Sequence, residues 1–308
     1  MTSPQPIRHL YFFDDLTYHL CRISRRQRLS AEDTARLLTT AADQVGQALT
    51  GLEPACQDAV LVTWDHACTQ LAWDLAHHAA AHSGFDLLVS QGCNGQYAAD
   101  ALLAEFTAAY GRPLAAATAN VRSTHLLTDP ADAFHSDFRI AVSSGPSLDE
   151  QCRSAVAPVH TQHRDPAQRL RIAVFDDCIQ TGQGTQAVTE QLIKDLPVGR
   201  DVEIHTIGFI ACQATQQRFT ERGWHPAQGV LLPGQTYPAS WDTDIYFLKD
   251  LILGNAIRYT DGTSQAYLDN PAWMEKIFAR DPDAATRALD GLRTALTDSG
   301  IYQHLLDL

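Results

Sequence analysis

Two adjacent carboxylates, Asp176 and Asp177, follow the apolar run Ile172-Ala173-Val174-Phe175 and precede a short stretch of hydroxyls and glycines that leads into a helical pattern. An apolar run bounded in this way reads as a buried strand. The order strand, loop, helix outlines an anion site, because the first amides of a helix point at whatever lies before it. Gly182 and Gly184 would let the backbone approach an anion closely, and Thr181 and Thr185 add hydroxyls on either side of Gln183. The strand is expected to end at the acid pair, so that the carboxylates project beyond the sheet. One end of the segment then suits sugar hydroxyls and the other a phosphate. The plain alternative is an exposed acid pair at a turn, where Asp is common. Neighbouring carboxylates repel each other unless hydrogen bonds or a cation compensate, and the glycine and hydroxyl loop at fixed distance favours the site.

Residues 172–185 resemble the 5-phosphoribosyl diphosphate (PRPP) motif of type I phosphoribosyltransferases, in which apolar residues precede an acidic pair, then an apolar pair, then Thr-Gly and a small residue. The resemblance implies that Asp176 and Asp177 act as the catalytic pair holding the ribose 2′- and 3′-hydroxyls. It also implies that Thr181, Gly182, Gln183, Gly184 and Thr185 wrap the 5′-phosphate. Cys178 and Gln180 depart from the usual aliphatic and small or hydroxylated residues, and Gln183-Gly184-Thr185 makes the loop one residue longer than the common form. Other phosphate motifs fit less well. No Lys follows the glycines as a P-loop requires, Gly-x-Gly-x-x-Gly is not completed, and Cys178 stands where the Asp-x-Asp pattern of haloacid dehalogenases has its second Asp.

A pyrophosphate needs its own cradle on a neighbouring strand. Asp86-Leu87-Leu88-Val89 reads as that strand, Ser90 to Gln96 as a tight loop and Tyr97 to Tyr110 as a helix. Gly92 and Gly95 are placed for positive φ, which Asn94 also tolerates. The segment is similar to the pyrophosphate loop of the same family. Arg122, after the apolar run 114–121, reads equally as a pyrophosphate ligand and as a surface arginine. Residues 123–170 show little periodicity, as a functional lid does, and Arg153, His160, His163 and Arg164 would bring charge to it; each alone reads as a solvated residue.

With 36 Asp plus Glu against 23 Lys plus Arg, the formal charge of −13 leaves no general basic footprint for a polynucleotide. The resemblance supplies the counter-charge instead. It implies Mg²⁺ bridging pyrophosphate and ribose, with Asp176 and Asp177 acting on it indirectly, through the sugar or through water, rather than in a protein cage. The seven cysteines lack C-x-x-C spacing, which argues against structural zinc and a disulfide framework and for reduced thiols in the cytoplasm. No run of about 18 apolar residues suggests a membrane span.

The fold expected is α/β: a mostly parallel sheet with helices on both faces, as in type I phosphoribosyltransferases, with a helical N-terminal layer and a variable C-terminal hood. The 308 residues divide into an accessory region 1–59, a core 60–236 and a hood 237–308. Within the first, Tyr11 to Arg28 and Ala31 to Leu49 read as helices, so that Asp14-Asp15 falls at a helix start; the region would serve as an accessory layer or a homodimer surface. The aromatic and acidic stretches of the hood read first as core. The function implied is transfer of 5-phosphoribose from PRPP to a small heterocyclic acceptor, with release of pyrophosphate. The alternatives are a non-catalytic PRPP- or nucleotide-binding regulator of the same fold and a sugar-phosphate hydrolase.

Overall fold

The computed structural model of the chain describes residues 9–56, 59–79, 84–127, 138–142, 145–162, 169–197, 199–233, 243–253 and 257–306. Along the chain, β1 (His9–Asp14) leads into α1 (Asp15–Gln27) and α2 (Ala31–Leu52), then β2 (Ala59–Thr63) and α3 (Trp64–Asp74), extended by a π turn over Leu75–Ala79. There follow β3 (Phe85–Gln91), α4 (Gly92–Tyr110), β4 (Ala115–Val121), β5 (Thr124–Leu127), β6 (Phe138–Ala141) and α5 (Leu148–Gln162). Next come β7 (Leu170–Ile179), α6 (Gln183–Asp195), β8 (Val202–Cys212), α7 (Gln213–Glu221) and β9 (His225–Leu232). The last part holds β10 (Thr243–Phe247), α8 (Leu248–Ile252), the short strands β11 (Ile257–Arg258) and β12 (Ser264–Gln265), and helices α9 (Pro271–Ile277), α10 (Pro282–Asp298) and α11 (Ile301–Leu306).

The chain forms two compact units where the sequence drew three regions: Met1–Asp65, Leu126–Phe138 and Tyr237–Leu308 make one, and His66–His125 with Arg139–Thr236 the other. The fold class is the one expected, α/β with parallel sheets flanked by helices. In the second unit five parallel strands run in the order β4-β3-β7-β8-β9. One face of this sheet, with Leu87, Val89, Ile172 and Val174, packs on Cys152, Val156 and Val159 of α5 and on Val188 and Leu192 of α6. Strand alternation turns Leu88, Ala173 and Phe175 to the other face, and α4 packs along β3 and β7.

The first unit has its own parallel sheet, β10-β1-β2, with Phe13 opposite both Phe247 and Val62. Leu10 and Phe12 of β1 join Leu16 and Leu20 of α1, Val45 of α2, Trp273 of α9 and Leu289 of α10 in one core. The helix expected from Tyr11 is therefore a strand as far as Asp14. A short aromatic run fits either period, and pairing on both sides decided it. Helix α1 ends where expected but starts four residues later, and α2 follows the sequence expectation closely, with Ser30 accepting from the Asp33 amide as its cap. Trp273, Tyr246 and Tyr259 of the expected hood are buried, in keeping with the core reading of those aromatics.

Candidate functional site

The five-stranded sheet changes direction between β3 and β7. From β3 the chain crosses to β4 on one side, and from β7 it crosses to β8 and then β9 on the other. In open α/β sheets the crevice outside the carboxyl ends of the strands at such a reversal is where ligands bind. The acid pair stands at this crevice. β7 pairs with β3 only as far as Ser90↔Phe175, whereas its pairing with β8 continues through Asp176↔Gly208 to Ile179↔Ala211. Asp176 and Asp177 thus lie within the strand, not at its end as the sequence suggested, and next to a β3 edge that has already stopped. Gly208 permits this close pairing, since a Cβ there would meet the Asp176 carbonyl oxygen at 3.0 Å.

Burial pushes the Asp176 carboxyl well above its ordinary range, and the charge and hydrogen bond of Asp177 push it further. The main opposing contact is a hydroxyl: Thr185 Oγ1 donates to Asp176 Oδ2 at 3.4 Å. That hydroxyl in turn accepts from Gln91 Nε2 at 3.2 Å, so the end of β3 is tied to the start of α6 through one threonine. Thr185 is fully buried, and its hydroxyl is committed to the carboxylate. In this arrangement the Thr185 side chain faces Asp176.

Between β7 and α6 the chain turns at Gly182, with φ +69°. A Cβ here would meet Thr215 Cγ2 at 2.5 Å and Phe219 Cζ at 2.6 Å, so both the backbone and the packing require glycine. Helix α6 starts without a side-chain cap, and Gln183 N reaches only Thr181 Oγ1, at 3.5 Å. Among the described residues no other side chain accepts from its first-turn amides. Two residues of α7 hold the outer side of the turn: Thr215 Oγ1 donates to the Gln180 carbonyl at 2.6 Å, and Arg218 Nη2 donates to the Thr181 carbonyl at 2.5 Å. With the carbonyls tethered outward, the amides that follow are left for an anion.

The neighbouring junction is built alike. Gly92 has φ +67°, and α4 begins there without a side-chain cap. The Asn120 amide, in the orientation its neighbours require, donates to the carbonyls of Gly92 and Ser90, each at 3.0 Å. The loop expected over Ser90 to Gln96 is thus a single turn at Gln91-Gly92. Asn94 and Gly95 lie in the first turn of α4, and Gly95 has no positive φ. Exposed Arg122 follows the end of β4, where Gln91 pairs with Val121, and Gln151 holds its backbone on both sides.

The carboxyl edge of β4, β3 and β7 therefore brings together Arg122, Gly92, Asp176, Asp177 and the turn 181–185. Among the described residues of the segment expected as a lid, β5 and β6 form a ribbon, and α5 buries Cys152 and Val156 in the core with Arg153 on the outside, paired to Asp149. His163 and Arg164 lie outside the described residues, as does the side chain of His160. Sequence reasoning did not find Gln91, Asn120, Thr215 and Arg218. Their signal is a contact across 28 residues or more, which no local pattern carries.

Among the described residues no group of three or more His, Cys, Asp or Glu is arranged to hold a metal ion. A donor set of one or two carboxylates fits Mg²⁺, which commonly binds through substrate phosphates, and does not fit a protein cage. No described helix is long and apolar enough to cross a membrane.

No family model matches the chain, and no curated protein matches it. Among solved structures, it is similar to a hypothetical protein from Neisseria gonorrhoeae with bound ppGpp, at 12% identity and TM-score 0.38, over 60% of this chain and 85% of that one. It is also similar to the adenine phosphoribosyltransferase of Thermoanaerobacter pseudethanolicus, at 16% identity and TM-score 0.28, over 55% and 78% of the two chains. A third is TT1426 from Thermus thermophilus, at 14% and 0.30, over 57% and 86%. At these scores the likeness carries no argument about what the chain does.

Proposed function

We propose that the second unit is a Mg²⁺-dependent phosphoribosyltransferase that takes PRPP and a small heterocyclic acceptor. The observation that carries this reading is the acid pair at the direction change of the sheet, one turn away from an uncapped helix start. Asp176 and Asp177 accept hydrogen bonds from the two ribose hydroxyls, and Thr185 fixes the first of them. The Thr181 hydroxyl and the amides at 183–185 donate to the 5′-phosphate. The start of α4 at Gly92 receives the pyrophosphate, with Arg122 beside it. Asp176 and Asp177 would help to hold Mg²⁺ indirectly, through the ribose or through water, and the ion would supply charge neutralisation for the leaving pyrophosphate. The contribution of the chain is placement: both anion cradles are tethered from behind, by Asn120 in one case and by Thr215 and Arg218 in the other, and so need little reorganisation when the ligand arrives.

The test is calorimetric titration of PRPP with and without Mg²⁺, for the parent chain and for Asp176→Asn/Asp177→Asn, followed by pyrophosphate release over a panel of nucleobases. Hydrogen bonds to charged groups contribute about 1.5–3 kcal/mol each, so the double substitution should weaken PRPP by about 100-fold or more. Affinity that survives the substitution would overturn the assignment. Tight Mg²⁺-dependent PRPP binding with no pyrophosphate release for any base would leave a binding protein in place of a transferase.

A further inference from the structure

The opposite end of the same sheet carries a cavity of about 530 Å³, beside the amino ends of β8 and β9. Leu196, Ile204 and Trp224, all buried, form its apolar part, and Lys194, Arg200 and Arg222 bring three cations to it. They come from three different elements. Lys194 is in the last turn of α6, Arg222 is the C-terminal cap of α7, and Arg200 sits on the turn before β8, where its amide bonds to the Pro197 carbonyl at 3.1 Å. Gly223, with φ +78°, reverses the chain so that Trp224 N returns to the Phe219 carbonyl at 3.0 Å, which sets the indole under the cavity and beneath the Arg222 guanidinium, 5.6 Å from the ring centre.

Cations near helix C-termini are favoured by the helix dipole, which accounts for Lys194 and Arg222 separately. It accounts neither for Arg200 nor for the convergence of all three on one concavity in a chain of net charge −13. Arg222 is paired with Glu190 at 2.9 Å, and among the described residues Lys194 has no ion pair. A volume in the range of small-ligand sites, with an apolar floor and cationic rim, suits a molecule that is flat and apolar at one end and anionic at the other. It is too small and too concave for a polynucleotide track.

We propose that this cavity is a second ligand site, taking a nucleoside 5′-monophosphate with its phosphate among Lys194, Arg200 and Arg222 and its base against the Trp224 floor. It is separate from the acid-pair crevice: α6 spans 13 residues, so its two ends lie roughly 20 Å apart. The site does not depend on the transferase reading. The two are linked in construction, since the helices whose far ends line the cavity are those that carry and tether the 181–185 turn.

Calorimetric titration of AMP and of GMP without Mg²⁺, with inorganic phosphate as a control, tests the assignment in three proteins: the parent, Lys194→Glu/Arg222→Glu, and Asp176→Asn/Asp177→Asn. Nucleotide affinity should fall at least about tenfold in the charge-reversed pair and hold within about twofold in the Asn pair. If reversal lowers the melting temperature, Lys194→Gln/Arg222→Gln is read in its place. No nucleotide binding by the parent, unchanged affinity in the rim variants, or loss confined to the Asn pair would each overturn the site. Nucleotide binding that holds in the Asn pair while PRPP binding also holds there would sink the transferase reading and leave this one standing.

Discussion

The chain carries two acid pairs near the carboxyl ends of parallel strands, and it uses them in opposite ways. In the first unit Asp14-Asp15 runs straight from β1 into α1. Asp14 becomes the cap of that helix, accepting from Thr17 N at 3.1 Å and from Thr17 Oγ1 at 2.6 Å. Asp15 Oδ1 accepts from Lys249 N at 2.9 Å, and its other oxygen has Lys249 Nζ at 3.8 Å and His19 Nε2 at 3.7 Å. In the second unit three strand residues and the Gly182 turn separate Asp176 from α6, so it caps nothing, and the partners described for it are the Thr185 hydroxyl and the neighbouring Asp177. An apolar strand ending in two acids is therefore no site by itself. The spacer decides whether a helix and an internal cation absorb the carboxylates or leave them for a ligand.

The largest effect should come from removing that internal cation. Burial pushes Asp15 up to about 8 even with Lys249 beside it, and burial together with the same ammonium pushes His19 down to about 2. Breaking a buried ion pair from one side costs about 3–5 kcal/mol, and Lys249→Met should lose that much in urea unfolding above about pH 8, where Asp15 is ionised. PRPP affinity should be unchanged in whatever fraction stays folded. A loss below about 1 kcal/mol would mean that the first acid pair is not held by this lysine, and the contrast with the second would weaken.

The second pair is most directly disturbed through its spacer. Gly182→Ala places a side chain in a left-handed conformation, at about 1–2 kcal/mol, and drives it into Thr215 and Phe219, for about 1–3 kcal/mol more. Stability should fall by about 2–5 kcal/mol, and PRPP affinity at saturating Mg²⁺ should fall with it, as the turn before the amides at 183–185 is displaced. A variant of normal affinity would show that the turn is not what separates the two pairs.

What the sequence disclosed of this contrast follows from range. The strand at 172–175, the glycine turn and the helix after it are written in consecutive residues, and the structure reproduces them with β7 extended beyond the acids. Asp14-Asp15 was read correctly as a helix start, but the three residues before it were taken for helix. Their partner strands, β2 and β10, lie about 50 and more than 200 residues away, and nothing local announces the pairing. The same distance hid Lys249 beneath Asp15, Arg218 and Thr215 behind the turn, and Asn120 behind Gly92. It also hid the joining of both ends of the chain in one unit. Local period finds the elements, whereas the residues that decide what an acid pair does come from elements the pair cannot see.

The smallest expected effect gives the finest separation of the two pairs, because it alters charge and leaves shape. Asn caps a helix about as well as Asp, so Asp14→Asn should change stability by only a few tenths of a kcal/mol. Its pH dependence has a definite sign. Burial is the main force raising the Asp14 carboxyl above its ordinary value of 3.8, with Asp65 adding to it. The folded chain then holds that proton more tightly than the unfolded chain does. The contribution of Asp14 is fully present below 3.8 and is lost as pH climbs through the raised value, a loss that the Asn variant does not suffer. Urea midpoints of parent and variant should therefore diverge in favour of Asp14→Asn as pH rises above 3.8. Divergence in the opposite direction would mean that the Asp14 charge is stabilised within the fold and that the first pair, like the second, answers to a partner yet to be bound.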